Sequence, residues 1–396
     1  MPVSPVFNLS KASCAINSCV WIAYAAGAAA LAAWIYLLFL RGGFWRVRIT
    51  ADPPLKGFEQ SVAVVVPARN EESVIGQAIQ SLMNQDYPGA FHVFLVDDHS
   101  TDATIQAAGT HNRLTIVRAG PIPAGWTGKL WAVSEGVNQG ASLKPDYFLL
   151  TDADILHAPD SLSRLVARAQ ADSLDLTSWM VKLHCETAAE RALIPAFVLF
   201  FFMLYPPAWI ASRRHQTAGA AGGCMLVRRA ALERIGGIAA IRGELIDDCA
   251  LAAAMKPGGR IGLRLTEHAR SLRAYNSFAE IGRVISRTAF TQLRYSWLLL
   301  SATLFGLALI FLAPPLLLLT RNPIAMLLGL AAWTLMSISY LPMLRFYRRS
   351  PGLAPLLPLT ALFYMAATID SALRYWRGRG GDWKGRIQAI KSAREH

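Results

Sequence analysis

The stretch Val62-Ala-Val-Val-Val-Pro-Ala-Arg-Asn-Glu-Glu72 decides the fold of this chain. The five apolar residues Val62–Val66 have the length and β-branched composition of a buried strand, which Pro67 is expected to end. A helical pattern follows, with apolar residues at positions 75, 78, 79 and 82 on one face. A buried strand that leads into an amphipathic helix is the repeating unit of a parallel α/β sheet.

The same alternation continues to about residue 290. Further strands are predicted at Phe91–Val96, Leu114–Val117 and Tyr147–Leu150, and a helix at Trp131–Val137. Ser100-Thr101-Asp102 is expected to supply turn and N-cap chemistry for the helix after the second strand. The pattern therefore predicts an α/β domain with a mostly parallel sheet.

Three acidic pairs stand out within this domain. Asp97-Asp98 follows the second predicted strand, Asp152-Ala-Asp154 follows the fourth, and Asp247-Asp248 lies in a helical pattern. Open α/β sheets bind ligands at the carboxyl ends of their strands. Two carboxylates one residue apart suit a hard divalent cation that is shared with phosphate oxygens.

The composition indicates a membrane protein. The chain has 396 residues, of which 54% are hydrophobic and only 16% charged, yet its net charge is +13. We expect the excess lysine and arginine to meet anionic lipid head groups or diphosphates. No nucleic-acid-binding motif is present, so nucleic acid is not an expected partner. The five cysteines form no metal-binding pattern.

An amino-terminal anchor is predicted at Val20–Leu40, a run without charge that is long enough to span the hydrocarbon core. Only Lys11 precedes it, whereas Arg41, Arg46 and Arg48 follow. This asymmetry favours an uncleaved anchor whose carboxyl flank is cytoplasmic.

Further apolar stretches lie at Trp297–Thr320, Pro323–Leu344 and Leu353–Tyr375. They predict two or three spans, because three would place a strongly basic tail outside. The apolar stretch Ile194–Ile210 is short and contains three prolines. It is interpreted as an interfacial or re-entrant segment, with a buried core helix as the alternative.

These features divide the chain into successive parts. They are a short N-terminal segment (1–19), a transmembrane anchor (20–40), a cytoplasmic catalytic domain (41–296, with 194–210 as its apolar segment), membrane helices (297–375) and a basic C-terminal tail (376–396).

Two segments resemble the start of a family 2-type glycosyltransferase with the GT-A fold, which is Rossmann-like. They are Val66–Glu72 and Val96–Asp102. The resemblance implies that nucleotide contacts come from the first strand end and the second-strand aspartate, namely Pro67, Ala68, Glu71 and Asp98 or Asp97. A carboxylate there accepts the imide N–H of uracil, which favours a UDP-sugar donor.

Other segments resemble later motifs of the same family. Gly125–Ala132 resembles the G-x-x-G-K-x-x-A segment, which implies that Lys129 reaches the donor diphosphate. Thr151–Asp154 resembles the D-x-D motif, which implies that Asp152 and Asp154 bind Mg²⁺ or Mn²⁺ and that Asp152 also contacts the nucleotide-sugar. The cation acts there as a Lewis acid on the leaving diphosphate.

The acceptor side also resembles this family. The segment from Gly222-Gly223 to Arg229 resembles the family's short strand before the acceptor helix, where small residues let the backbone approach the donor sugar closely, with a plain tight turn as the alternative. Glu244–Leu251 resembles the E-D or D-D motif, which implies Asp248 as general base with Asp247 as its neighbour or substitute. The implied outcome is inversion at the anomeric carbon.

The segment before the first carboxyl-terminal span resembles a Q-x-x-R-W motif, although Tyr295 stands at the tryptophan position. It implies that Arg294 binds diphosphate. Gln292, Tyr295 and Trp297 would then face the acceptor. A juxtamembrane belt of basic and aromatic residues is the alternative interpretation.

The layout is similar to ceramide glucosyltransferases and to bacterial glycosyltransferases associated with hopanoid biosynthesis, to which the segment Ser286–Tyr295 points. It implies a multi-pass protein of a bacterial-type inner (cytoplasmic) membrane, with its catalytic domain facing the cytoplasm, that transfers sugar from a UDP-sugar to a lipid hydroxyl. Open alternatives are a processive polysaccharide synthase, a polyprenyl-phosphate sugar transferase and a non-catalytic lipid-binding scaffold.

Overall fold

The computed structural model describes residues 9–47, 53, 60–383 and 386–387. The rest of the predicted N-terminal segment (1–8) and of the basic tail (384–385 and 388–396) lies outside the described residues, as do residues 48–52 and 54–59.

An eight-stranded sheet forms the centre of the described chain, in the order β3-β2-β1-β4-β7-β6-β8-β5. Four of its seven strand pairings are parallel and three are antiparallel. This confirms the predicted α/β fold with a mostly parallel sheet. The strands are β1 (Val62–Ala68), β2 (Phe91–Asp97), β3 (Leu114–Arg118), β4 (Tyr147–Thr151), β5 (Ile155–His157), β6 (Leu176–Lys182), β7 (Cys224–Arg228) and β8 (Ile261–Ser271).

Helices cover both faces of the sheet and both ends of the chain. Those within the α/β region are α2 (Ile75–Met83), α3 (Thr104–Ala108), α4 (Gly128–Ala141), α5 (Ser161–Ala171), α6 (Ala188–Leu204), α7 (Pro207–Ala211), α8 (Arg229–Arg234), α9 (Asp247–Met255) and α10 (Phe278–Gln292). The remaining helices are α1 (Leu9–Phe39), α11 (Trp297–Leu307), α12 (Ala313–Leu317), α13 (Pro323–Phe346) and α14 (Leu357–Trp376). A two-stranded hairpin, β9 (Asp382–Trp383) and β10 (Arg386–Ile387), follows.

The uniform apolar character of β1 follows from burial on both faces. Val62, Val64 and Val66 pack in the core layer that contains α2. Ala63 and Val65 point the other way, into the layer that contains α4. Successive strand residues face opposite sides, so a strand covered by helices on both sides needs apolar residues throughout.

One local prediction was wrong and another holds in part, since Asp102, although not Ser100, accepts from the N–H of Thr104 at the start of α3. Pro67 does not end β1, because β4 pairs only up to Val65 and β2 alone continues alongside, so that the missing proline N–H is tolerated at this edge. Ser100 does not cap α3, whose N-cap residue is Ala103 without a side-chain hydrogen bond. The Ser100 hydroxyl instead accepts from the backbone N–H of Asn70.

Among the described residues, five helical segments are long and apolar enough to cross a membrane, judged by length and composition. They are Val20–Phe39, Ala188–Ala211, Trp297–Thr320, Pro323–Phe346 and Pro351–Trp376. The first packs along α13, and α14 packs along α10. The two ends of the chain thus meet each other and the α/β domain.

The α6–α7 segment is held to the α/β domain at both ends. Glu190 near its start accepts from the backbone N–H of Tyr275 at 2.6 Å. Lys256 donates to the carbonyls of Trp209 and Ser212 at its end. Between these anchors, half of the segment's most apolar window is buried. The interfacial or re-entrant interpretation of this segment, and the buried core helix as its alternative, stay predictions.

Candidate active site

A cavity of about 370 Å³ opens at the carboxyl ends of β1, β4 and β8. Ten of its described lining residues are ionisable acids or bases, which is unusual for a simple packing void. They are Arg69, Glu71, Lys129, Asp152, Asp154, Glu244, Asp247, Asp248, Arg273 and Arg287. Pro67, Gly222 and Gly223 also line it, so the cavity brings together most of the predicted site residues.

Lys129 connects two of the acidic pairs. Thr127 caps α4 by accepting from the N–H of Leu130, which places Lys129 in the first turn. The Nζ atom lies 2.9 Å from Asp152 Oδ1 and 3.1 Å from Asp247 Oδ2. Burial disfavours the charged lysine, but these carboxylates outweigh it and raise the pKa of Lys129. The lysine is therefore fully cationic at neutral pH.

Asp248 is oriented by two backbone donors. Its Oδ2 accepts from the N–H of Gly222 at 2.8 Å, and its Oδ1 accepts from the N–H of Cys249 at 2.7 Å. A side chain at position 222 would come within 3.3 Å of Oδ2, which explains the glycine there. Burial raises the pKa of Asp248 to about 6, and the Asp247 charge adds to this rise. The general-base role of Asp248 stays a prediction.

Arg273 is the main site residue that the sequence analysis missed. Its Nε lies 2.9 Å from Asp154 Oδ2, and one of its terminal nitrogens lies 2.8 Å from Glu71 Oε1. β5 pairs with β8 so that Ile155 lies opposite Ser271, which brings the end of β8 beside Asp154. The alternation of Ile261, Leu263 and Leu265 is a strand signal that would have pointed to this edge.

The loops after β1 and β2 are tied together beside the cavity. Asn70 and His99 adopt left-handed backbone conformations, with φ of 53° and 56°. Asp97 accepts from the N–H of Ser100, and the carbonyl of Asp98 accepts from Arg69. Asp97 and Asp98 are buried, and neither they nor Ala68 line the cavity. Their nucleotide-binding roles stay predictions.

One wall of the cavity is apolar. Phe197 and Phe201 of α6 face it. Leu183, which follows β6, and Val284 of α10 also line it. α6 is fixed there by a capping box between Thr187 and Glu190. A cavity with acidic and basic groups on one side and aromatic rings on the other suits a ligand that is part polar and part hydrocarbon.

The predicted site residues at and after the end of α10 do not line the cavity. Arg294, Tyr295 and Trp297 are exposed and do not line the cavity, and Tyr295 stacks on Tyr375 with centroids 4.3 Å apart. Gln292 lies near Tyr205, which is also near Cys249 beside the candidate base. The diphosphate and acceptor roles of this segment stay predictions.

The described residues contain no group of three or more histidine, cysteine or acidic residues placed to hold a metal ion. Asp152 and Asp154 nevertheless line one cavity, and the charge of Asp154 contributes to a raised pKa of Asp152, behind burial as the main cause. Two such carboxylates fit a Mg²⁺-like ion whose remaining ligands come from substrate phosphates and water.

Comparison with known proteins gives a consistent result. The model of glycosyl transferase family 2 matches residues 63–236. A β-monoglucosyldiacylglycerol synthase of Synechocystis sp. is 37% identical over 123 residues, which are 30% of this chain and 24% of that protein. A 4,4'-diaponeurosporenoate glycosyltransferase of Staphylococcus aureus is 29% identical over 96 residues, 24% of each chain. The chain thus matches about a quarter of the length of these relatives.

The fold is also found in a solved structure. A mannosyltransferase from Pyrobaculum calidifontis, in complex with GDP-Man and Mn²⁺, superposes with a TM-score of 0.52 at 21% identity. The superposition covers 89% of this chain and 98% of the other. The family match includes Lys129, the D-x-D pair and Gly222, and ends before Asp247. Residues 63–236 therefore match glycosyl transferase family 2, and the described chain shares its fold with the Pyrobaculum mannosyltransferase.

Proposed function

We propose that this protein is a membrane-associated, inverting glycosyltransferase that moves a sugar from a UDP-sugar to a hydroxyl group of a membrane lipid. The observation that carries the proposal is a single cavity that combines the D-x-D pair, Lys129 and the oriented Asp248 with an aromatic wall from α6. The D-x-D pair would hold the metal ion, and Lys129 would attract the diphosphate. Asp248 would act as the base, and the aromatic wall would hold the lipid acceptor.

The donor is assigned to the end of the cavity formed by Pro67, Glu71 and Arg69. Lys129 and Arg273 are the cations closest to the D-x-D pair. A nucleoside diphosphate brings negative charge that both cations attract, so donor binding would replace part of their present ion pairing. The Pyrobaculum structure contains GDP-Man, which makes GDP-sugars the donor class to test beside UDP-sugars.

Asp152 and Asp154 would hold the Mg²⁺ or Mn²⁺ ion. When bound, the ion supplies Lewis-acid neutralisation of the diphosphate as it leaves. Lys129 stays within reach of the same region and adds a fixed positive charge. The residues themselves contribute position: Lys129 on the first turn of α4, and both aspartates at the carboxyl end of β4.

Asp248 acts as the general base. Its backbone donors Gly222 and Cys249 fix the carboxylate, and each oxygen keeps a second lone pair for the acceptor hydroxyl. The hydroxyl oxygen attacks the anomeric carbon, its proton passes to Asp248, and the bond between that carbon and the diphosphate breaks. Attack from the face opposite the leaving group inverts the configuration.

A lipid acceptor fits the wall formed by Phe197 and Phe201. This wall belongs to α6, which lies between the cavity and the apolar helices α13 and α14. A hydroxyl presented from the membrane surface reaches Asp248 along this wall. Within this class, a hopanoid or a ceramide-like lipid is our proposed acceptor, and diacylglycerol enters through the name of the Synechocystis relative. We place the catalytic domain on the cytoplasmic side, where nucleotide-sugars are made.

The test uses the full chain in detergent with total lipid extract, Mg²⁺ or Mn²⁺, and radiolabelled UDP- and GDP-sugars. We expect metal-dependent label in the organic phase, with the product identified by mass spectrometry. Asp248→Asn, prepared in parallel, should give no lipid label.

Each of the other outcomes would support a different function. Label in insoluble polymer would indicate a processive synthase, and an acid-labile lipid phosphate product would indicate a polyprenyl-phosphate transferase. The absence of both label and nucleotide binding would favour a non-catalytic scaffold.

A further inference from the structure

Two buried polar residues lie directly behind the D-x-D turn (residues 152–154). Thr151 ends β4 just before this turn, and His157 ends β5 just after it. Both residues are buried, with 2% and 4% of their surface exposed. Neither lines the candidate active-site cavity. Any part they take in the reaction is therefore exerted through the residues that they hold.

The Thr151 hydroxyl connects His157 with the turn before β7. Its Oγ1 donates to the carbonyl oxygen of Gly223 at 2.8 Å and lies 3.0 Å from His157 Nε2. A hydroxyl has a single proton to donate, so the second hydrogen bond is one in which the Nε2–H group donates to Oγ1. The Thr151–His157 bond thus closes the D-x-D turn at its base.

His157 is itself fixed from behind. Its backbone N–H donates to Ser81 Oγ at 3.1 Å, and that hydroxyl donates to the carbonyl of Ala78 within α2. Burial lowers the pKa of the His157 ring to about 4, so the ring is neutral at physiological pH. Its Nδ1 has no hydrogen-bond partner within the described ranges of the chain. The ring therefore has one hydrogen bond, and Thr151 receives it.

The Gly222–Gly223 turn carries the connection to the candidate base. The carbonyl of Gly223 accepts from the threonine hydroxyl and also from the N–H of Asp152, at 3.4 Å. The N–H of Gly222 donates to Asp248 Oδ2 at 2.8 Å. The D-x-D carboxylates and Asp248 consequently share one buried, hydrogen-bonded support.

We propose that Thr151 and His157 are positioning residues that hold the D-x-D turn and the Gly222–Gly223 turn at a fixed separation. Their effect on the reaction rests on the proposed function, in which the D-x-D pair binds the metal ion and Asp248 is the base. The leaving diphosphate and the attacking hydroxyl must then face each other across the anomeric carbon. A misplacement of about 1 Å in such an arrangement can reduce the rate by about 10²-fold.

The test compares matched substitutions in the full chain in detergent. Thr151→Val removes the hydroxyl at nearly constant shape, and His157→Leu removes the ring donor. Thr151→Ser restores a hydroxyl, and His157→Gln places an amide donor where Nε2 lies. Thr177→Val is the control, because Thr177 is also 2% exposed and its hydroxyl has no hydrogen-bond partner in the part of the chain that is described.

We expect Thr151→Val and His157→Leu to raise the Mn²⁺ concentration for half-maximal sugar transfer by roughly 10- to 100-fold, the usual effect of losing a group that orients metal ligands. Thr151→Ser, His157→Gln and Thr177→Val should stay close to wild type. A lower Tm with an unchanged Mn²⁺ dependence would show a purely structural role and would overturn the proposal.

Hydrogen exchange gives a readout that does not require sugar transfer. Peptides that cover residues 152–158 and 219–224 should exchange faster in Thr151→Val and His157→Leu than in Thr177→Val. Unchanged exchange in both turns would overturn the proposal, whatever the activity. Absence of transfer by the wild-type chain would instead refute the proposed function, and the exchange rates would still decide whether this pair holds the two turns together.

Discussion

Replacement of Asp248 by asparagine tests the proposed chemistry most directly. In the wild-type chain both carboxylate oxygens accept backbone N–H groups, at 2.8 Å from Gly222 and 2.7 Å from Cys249. Asparagine has one carbonyl oxygen, so it keeps one of these bonds and turns an amide group toward the other donor. The side chain retains its size and approximate place but cannot take a proton.

The expected loss in rate follows from the role of the base. Positioned general bases contribute roughly 10²- to 10⁴-fold, which corresponds to about 3–5 kcal/mol in activation free energy. The unpaired backbone donor lowers the free energy of unfolding by about 1–3 kcal/mol. Loss of a buried carboxylate whose pKa is raised to about 6 offsets part of that cost.

Initial rates of lipid glycosylation measure the loss in kcat, and calorimetric titration with the nucleotide-sugar measures the affinity for the donor. We expect Asp248→Asn to lose at least about 100-fold in kcat while its affinity for the donor stays near the wild-type value. Asp247→Asn is the matched control, with the same chemical change one residue away. A rate within tenfold of wild type, or an equal loss in the Asp247 variant, would refute the assignment of Asp248 as base.

Three further predictions concern the surrounding groups. Because Asp248 must be ionised and its pKa is raised to about 6, kcat/KM should fall as pH decreases through about 6. Asp247→Asn removes a charge that raises the pKa of Asp248, so the fall in kcat/KM should occur at lower pH in this variant. An unchanged pH profile would contradict the influence of Asp247 on Asp248. Arg273→Gln should weaken metal-dependent nucleotide binding several-fold in a Mn²⁺ titration, because the diphosphate loses one of the two cations that attract it; tighter binding would show instead that Arg273 only competes with the metal ion for Asp154. Phe201→Ser should raise KM for the lipid acceptor and leave KM for the nucleotide-sugar unchanged, and equal changes in both values would exclude a specific acceptor wall.

The sequence predicted the α/β class because that information is local. The β-branched run Val62–Val66 and the helical pattern after it identify a strand and a helix without reference to distant residues. The same holds for Asp152 and Asp154, which follow directly after a buried strand and so had to lie at a ligand-binding edge.

The predicted ends of strands and helices were less accurate, because they depend on residues that are distant in the chain. Pro67 stays within β1 because the pairing of β1 with β4 ends at Val65, so that no β4 partner needs the missing N–H. Ser100 has the chemistry of a helix cap but is closer to the backbone N–H of Asn70, thirty residues earlier in the chain. A local pattern does not contain the position of the competing partner.

The sequence by itself determined the span-length apolar stretches and the strand-ending acids, since each follows from side-chain type and spacing over a few residues, whereas the candidate base came from the resemblance to a known family. The tertiary structure decided that Arg273 pairs with Glu71, which is 202 residues away in the chain, and with Asp154, which is 119 residues away. It also decided that α6 provides the hydrophobic wall. These arrangements depend on sheet order and strand pairing, which bring distant segments together and which no short stretch of sequence specifies.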